Sequence, residues 1–140
     1  MRAVLDTSVL IGHDPLSRDI DVAISVVSIA ELHFGLLVAR DAQTRAARAS
    51  RLGMIEARFP DPLPLDDRVA REWGHLQAVV ATGGRQPRRR AADLAIAATA
   101  SVHDAILFTK NRKDFAAIAD LVDVRTPTLA DDRFRGEARA

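Results

Sequence analysis

The chain has 140 residues and a formal net charge of +1, enough for one domain with its own core and too little for two. It has no cysteine, which excludes disulfides, thiolate nucleophiles, zinc fingers and iron–sulfur clusters and leaves oxygen or imidazole to hold any metal. Aromatic residues are only 4%, with no Tyr, so no stacking platform for single-stranded bases is expected and phosphate contacts must carry any binding of nucleic acid.

Ala3-Val4-Leu5 is a short apolar run that breaks at Asp6-Thr7-Ser8, the pattern of a buried strand feeding a polar loop or helix start. Asp6 arrives too early for a signal peptide, and no window approaches the roughly 18 apolar residues of a membrane span, so a cytoplasmic protein is expected. A second strand is predicted over Val22–Val26. A helix follows from Ser28 to near Asp41, with Ile29, Leu32, Leu36 and Leu37 on its apolar stripe. Residues 43–58 form a further helix with Leu52, Ile55 and Phe59 on one face and Arg45, Arg48 and Arg51 on another, ended by the Pro60, Pro62 and Pro64 cluster. Phe34, Leu37, Val38, Met54 and Phe59 exceed what a small sheet needs, and either extend the core or form an interface.

A short strand is expected near Leu63 and Leu65, then a helix over Arg68–Ala81 capped by Asp66 or Asp67 and stopped by Gly83-Gly84. Residues 83–90 read as a loop holding Arg85, Arg88, Arg89 and Arg90. An Ala-rich helix over Ala91–Val102 carries Asp93 near its start, and Ala105–Phe108 is the clearest buried strand. A short helix over Asp114–Ala119 and a last strand over Val122–Val124 complete the pattern. Residues 1–126 are read as one domain and 127–140 as a tail that drapes over the surface or frays. Short strands alternating with helices predict an α/β fold with a central, mainly parallel sheet, in which ligands bind at the carboxyl ends of the strands.

Four carboxylates fall at those ends: Asp6 after the first strand, Glu31 in the first turn of the helix after the second strand, Asp93 at the opening of the Ala-rich helix, and Asp114 six residues beyond Phe108. Converging acids repel unless they gain cations or take up protons, and hard divalent cations with oxygen ligands are the natural answer. Each also has a purely structural alternative. Ser28-Ile29-Ala30-Glu31 matches a capping box, Asp93 suits a helix dipole, and Asp114 suits a helix cap. Asp6 alone has no capping job that Thr7 or Ser8 could not do. The arginines at 85–90 border this site, either as a clamp on phosphate or as a solvated loop. His13 and His75 read as surface or packing residues, and His33 points away from Glu31.

The series Asp6-Thr7-Ser8, Glu31-x-x-x-Gly35, Asp93-x-x-Ile96-Ala97 and Leu107-x-Thr109-x-Asn111-x-x-Asp114-Phe115 resembles the PIN-domain ribonucleases, and most closely the VapC toxins of toxin–antitoxin pairs. The resemblance runs over about residues 2–125, and Thr109-x-Asn111-x-x-Asp114-Phe115 after a strand is its most specific part. It implies a three-layer PIN fold and a metal-dependent endoribonuclease that hydrolyses phosphodiester bonds with metal-activated water. Asp6, Glu31, Asp93 and Asp114 would be the catalytic, metal-holding acids for Mg²⁺ or Mn²⁺, with Thr7 or Ser8, Thr109 and Asn111 in supporting polar roles. Whether Asn111 or Asp114 lies closer to the metal stays open. Arg85, Arg88, Arg89 and Arg90 would meet RNA phosphates. The resemblance also implies a homodimer and a cognate VapB-like antitoxin that covers the site. One departure is His103-Asp104, where the family more often has His-Gly; Asp104 is read as a turn residue. The competing reading is a non-catalytic PIN-like scaffold that binds nucleic acid or protein. A response-regulator receiver would need paired acids after the first strand, which are absent.

Overall fold

The computed structural model describes residues 1–12 and 20–127. His13 and the tail from residue 128 therefore lie outside the described residues. Four short strands form one sheet: β1 (Arg2–Leu5), β2 (Asp21–Ile24), β3 (Ile106–Phe108) and β4 (Val124–Arg125), in the order β2-β1-β3-β4. All the pairings are parallel, so the sheet is more uniform than the mainly parallel one expected. Leu5 pairs with both Ile24 and Phe108, which brings the next residues, Asp6, Ser25 and Thr109, level at one end of the sheet. The chain leaves β1 to one side and returns to the other, so this end is the switch point where parallel sheets open a crevice.

The helices are α1 (Thr7–Leu10), α2 (Val26–Leu37), α3 (Ala42–Arg58), α4 (Asp67–Thr82) and α5 (Ala91–Val102), with 3-10 turns over Pro87–Arg90 and Arg112–Ile118. Alternation along the strands sends side chains to two separate cores. Val4 and Leu107 pack with Val69, Leu76, Leu94 and Phe115 on one face. Ala3, Leu5, Ile106 and Phe108 pack with Val9, Ile24 and Ile55 on the other. The Ala-rich α5 is buried from Leu94 to Ala100, because small side chains let it lie between the sheet and α4. Trp73 donates its indole N–H to the Ala91 carbonyl at 3.0 Å, fixing the start of α5 against α4.

Several boundaries differ from expectation for local reasons. The second strand ends at Ile24, and Ser25, not Ser28, caps α2 by accepting the Val27 N–H at 3.0 Å. The backbone of Val26 has turned to Leu63, whose bridge to Ser25 is all that remains of the strand expected near Leu63 and Leu65. Arg45 and Arg48 donate to the Ala39 and Gly35 carbonyls at the end of α2, which stops that helix before Asp41 and leaves Asp41 to cap α3. The arginine loop tightens into a 3-10 turn running directly into α5. Asp114–Ala119 is likewise a 3-10 turn that begins at Arg112, and the last strand starts at Val124 rather than Val122. Phe34, Leu37, Val38 and Met54 do not extend the core: they are 67%, 77%, 51% and 71% exposed, and only Phe59 packs inward. His33 pairs with Glu56 across α2 and α3. Among the described residues, no helix is long and apolar enough to cross a membrane.

Candidate active site

Asp6 closes β1. Its N–H donates to the Phe108 carbonyl at 3.0 Å, and its carboxylate, only 4% exposed, accepts the Val9 N–H at 3.2 Å and the Ser8 hydroxyl at 2.5 Å, both on Oδ1. Asp6 thus does have a capping job, at the start of α1, contrary to the expectation from sequence. The job occupies one oxygen only. The Ser8 hydroxyl also accepts the Lys110 N–H at 3.0 Å, tying the ends of β1 and β3 together across the crevice.

Glu31 lies in the second turn of α2 and takes no part in a capping box, since Ser25 holds the cap and Ser28 is buried inside the helix. It accepts the Thr7 hydroxyl at 2.7 Å, which points it back toward Asp6. Asp93 lies in the first turn of α5, where a carboxylate serving only the helix dipole would be pulled to lower pKa. Its pKa is instead raised above the ordinary 3.8, first by burial, then by repulsion from Glu31 and Asp6; Arg90 opposes the shift and Asp114 adds to it. The other three acids expected from sequence are therefore all felt at this carboxylate.

Asp114 lies within the 112–118 turn and does not cap it: Asn111 holds the cap position, without a side-chain hydrogen bond. Asn111 is exposed, and its N–H is held by the buried Thr109 hydroxyl at 3.0 Å. The Asp114 charge reaches Asp93. Thr109 and Asn111 shape the loop that delivers it.

Arg90 enters the cluster itself. Its guanidinium lies 2.9 Å from Asp114 and 3.6 Å from Asp93, as an internal counter-ion rather than an open phosphate contact. Arg85 and Arg89 line a neighbouring cleft with Lys113 and Gln86, and Arg88 does not line it. Lys113 was not singled out by sequence; its place beside Asp114 was the available signal. Among the described residues, no three carboxylates converge closely enough to hold one ion as they stand. The donor set is nevertheless what a hard divalent cation takes, and Asp93 is an acid whose surroundings call for added positive charge.

A parallel sheet of this order with acids at its switch point defines a class, and the PIN domain family model matches residues 3–121. Ribonuclease VapC5 of Mycobacterium tuberculosis is 38% identical over 122 residues, covering 82% of this chain and 86% of the relative. Ribonuclease VapC8 of the same species is 37% identical over 103 residues, covering 71% and 90%. The crystal structure of VapBC-5, a member of the VapBC family of toxin-antitoxin systems from M. tuberculosis, superposes with a TM-score of 0.75 at 38% identity, covering 89% of this chain and 96% of that one. The chain belongs to the PIN-domain family and, within it, to the VapC ribonucleases.

Proposed function

We propose that this protein is the toxin of a toxin–antitoxin pair and a divalent-metal-dependent endoribonuclease, with Asp6, Glu31, Asp93 and Asp114 as its metal-holding acids. The observation that carries the reading is that a chain matched by the PIN domain model over residues 3–121 brings Asp6, Glu31, Asp93 and Asp114 within electrostatic reach of one another at the end of its parallel sheet. When bound there, Mg²⁺ or Mn²⁺ supplies an activated water and charge for the phosphate and the leaving oxygen. The chain's own residues orient that chemistry. Ser8 holds one oxygen of Asp6, Thr7 holds Glu31, and Thr109 sets the loop that carries Asp114. Glu31, held by the Thr7 hydroxyl, would serve as a ligand or orient the attacking water.

The exposed Phe34 and Leu37 of α2, Val38 just after it and Met54 of α3 are proposed as the face covered by a VapB-like antitoxin and by a second copy of the chain. Labelled RNA incubated with purified protein tests the activity. Cleavage is expected in Mg²⁺ or Mn²⁺ and not in EDTA, nor with Asp6→Asn or Asp93→Asn. Cleavage that survives chelation or either substitution contradicts the reading.

A further inference from the structure

We infer that Ser28 is a positioning residue for Glu31: its buried hydroxyl donates to Thr7 and Thr7 donates to Glu31, so that a relay of two hydrogen bonds between α1 and α2 fixes the acid. This rests on the ribonuclease reading and adds to it a residue that touches neither metal nor substrate.

The sequence offers a helix cap as the job of Ser28, but Ser25 holds that place and Ser28 lies in the first turn of α2, fully buried. A buried hydroxyl left without a partner is costly, so a serine enclosed in a helix rich in Val, Ile and Leu needs a reason to be there. Among the described residues its side chain meets one partner, the Thr7 hydroxyl at the start of α1, 3.3 Å away. Ser28 and Glu31 are three residues apart on α2 and share a face, and Thr7 bridges them.

A count of hydrogens fixes the direction of the relay. Thr7 has one hydroxyl hydrogen and two oxygens within reach, Glu31 Oε1 at 2.7 Å and Ser28 Oγ at 3.3 Å. The carboxylate is nearer, is charged and, when ionised, has nothing to donate in return, so it takes the hydrogen of Thr7. The Thr7 oxygen still has lone pairs, and Ser28 fills one of them with its own hydrogen. Bonds in such a chain polarise one another, so the donor to Glu31 is strengthened by the bond behind it. The relay also counters a freedom the other three acids lack, since Glu31 has one more side-chain torsion to fix than Asp6, Asp93 or Asp114. It engages Oε1 only and leaves the other oxygen of Glu31 to the chemistry.

The test joins a kinetic cycle to a metal-free measurement. Ser28→Ala, Thr7→Val and the double variant are compared in cleavage of labelled RNA with Mn²⁺, well below their melting temperatures. Ser28→Ala is expected to lower kcat roughly three- to ten-fold, the worth of one hydrogen bond, with KM for RNA unchanged. Ser28→Cys keeps a weak donor in place and should fall between the two. In the Thr7→Val background Ser28→Ala should cost nothing further, because the relay is already broken. In EDTA the Thr7 χ1 angle, read from NMR couplings to its methyl carbon, should be a single rotamer in wild type. In Ser28→Ala it should be averaged, because threonine in a helix otherwise divides between two. A serine that only packs α1 on α2 would lower Tm and leave kcat alone, or lower it alike in both backgrounds. Wild-type kcat in Ser28→Ala, an equal loss in both backgrounds, or an unaveraged Thr7 rotamer overturns the relay. If Ser28→Ala does not fold, Ser28→Cys is read by the same criteria. Wild type that leaves RNA intact in Mn²⁺ removes the ribonuclease reading, and the rotamer measurement still decides the relay; cleavage by wild type with kcat unchanged in Ser28→Ala does the reverse.

Discussion

The Arg90 guanidinium lies 2.9 Å from the Asp114 carboxylate and 3.6 Å from that of Asp93, so one arginine already neutralises two of the acids proposed to hold a metal ion. A metal held by these acids would compete with Arg90 for them. Arg90 is the cation that offsets the repulsion on Asp93, and a bound metal would supply that charge instead. Arg90→Ala is therefore expected to melt lower than wild type in EDTA and to recover most of the difference in saturating Mn²⁺. An ion at a hundred times its Kd adds about 2.7 kcal/mol to the folded state. Thermal melts with and without Mn²⁺ check this, and an equal deficit in both contradicts it.

Asp93 gives a pH dependence whose sign follows from its raised pKa. The folded protein takes up this proton more readily than the unfolded chain, so an ionised Asp93 costs stability at neutral pH. That cost fades as pH falls through the raised value, and nothing more changes below the ordinary 3.8, where both states are protonated. Asp93→Asn in EDTA should accordingly melt above wild type at pH 7, by a margin that narrows toward pH 4. Its half-exposed contact with Arg90 is too weak to reverse that order. A variant less stable than wild type at pH 7 contradicts the assignment.

Ser8 links Asp6 to the Lys110 backbone, so Ser8→Ala removes two hydrogen bonds at once and frees the Asp6 carboxylate to turn. A loss of roughly 1–3 kcal/mol is expected, which at this size lowers Tm by about 2–4 °C per kcal/mol. Thr7→Val should instead leave stability nearly intact and lower kcat, because its bond serves Glu31. Melting curves and steady-state cleavage of the two variants separate these roles. Equal stability losses contradict the division.

Asp104 has φ of 50°, the left-handed conformation, directly after α5, where the Ala105 N–H reaches back to the Ala100 carbonyl. Glycine adopts this conformation without strain. Asp104→Gly is expected to stabilise the fold by roughly 0.5–1 kcal/mol without changing cleavage, as read by a Tm increase. A lower Tm contradicts the reading of Asp104 as a strained turn residue distant from the site.

The sequence was legible where one physical signal dominated. Apolar runs at Ala3–Leu5 and Ala105–Phe108 located the two central strands, and acids just past strand ends located the cluster. It was misleading where two residues could do one job. Ser25 and Ser28 both look like caps, and the choice between them depended on Val26 bonding to Leu63, a contact distant in sequence. Asp6 showed no reason to cap because the four-residue α1 leaves no periodic trace. Periodicity marked Leu37 as apolar-faced but could not show that it stands exposed among the described residues. Arg90 looked like its neighbours until folding set it between two carboxylates.

The central claim is that Asp6, Glu31, Asp93 and Asp114 direct a metal-activated water at the RNA phosphate. The chemistry of the cut ends tests it most directly. RNA cleaved in Mn²⁺ should carry 5′-phosphate and 3′-hydroxyl ends, and these products should vanish with Asp93→Asn. Ends bearing 2′,3′-cyclic phosphate would show that the ribose hydroxyl attacks instead of water, and would contradict the role assigned to all four acids.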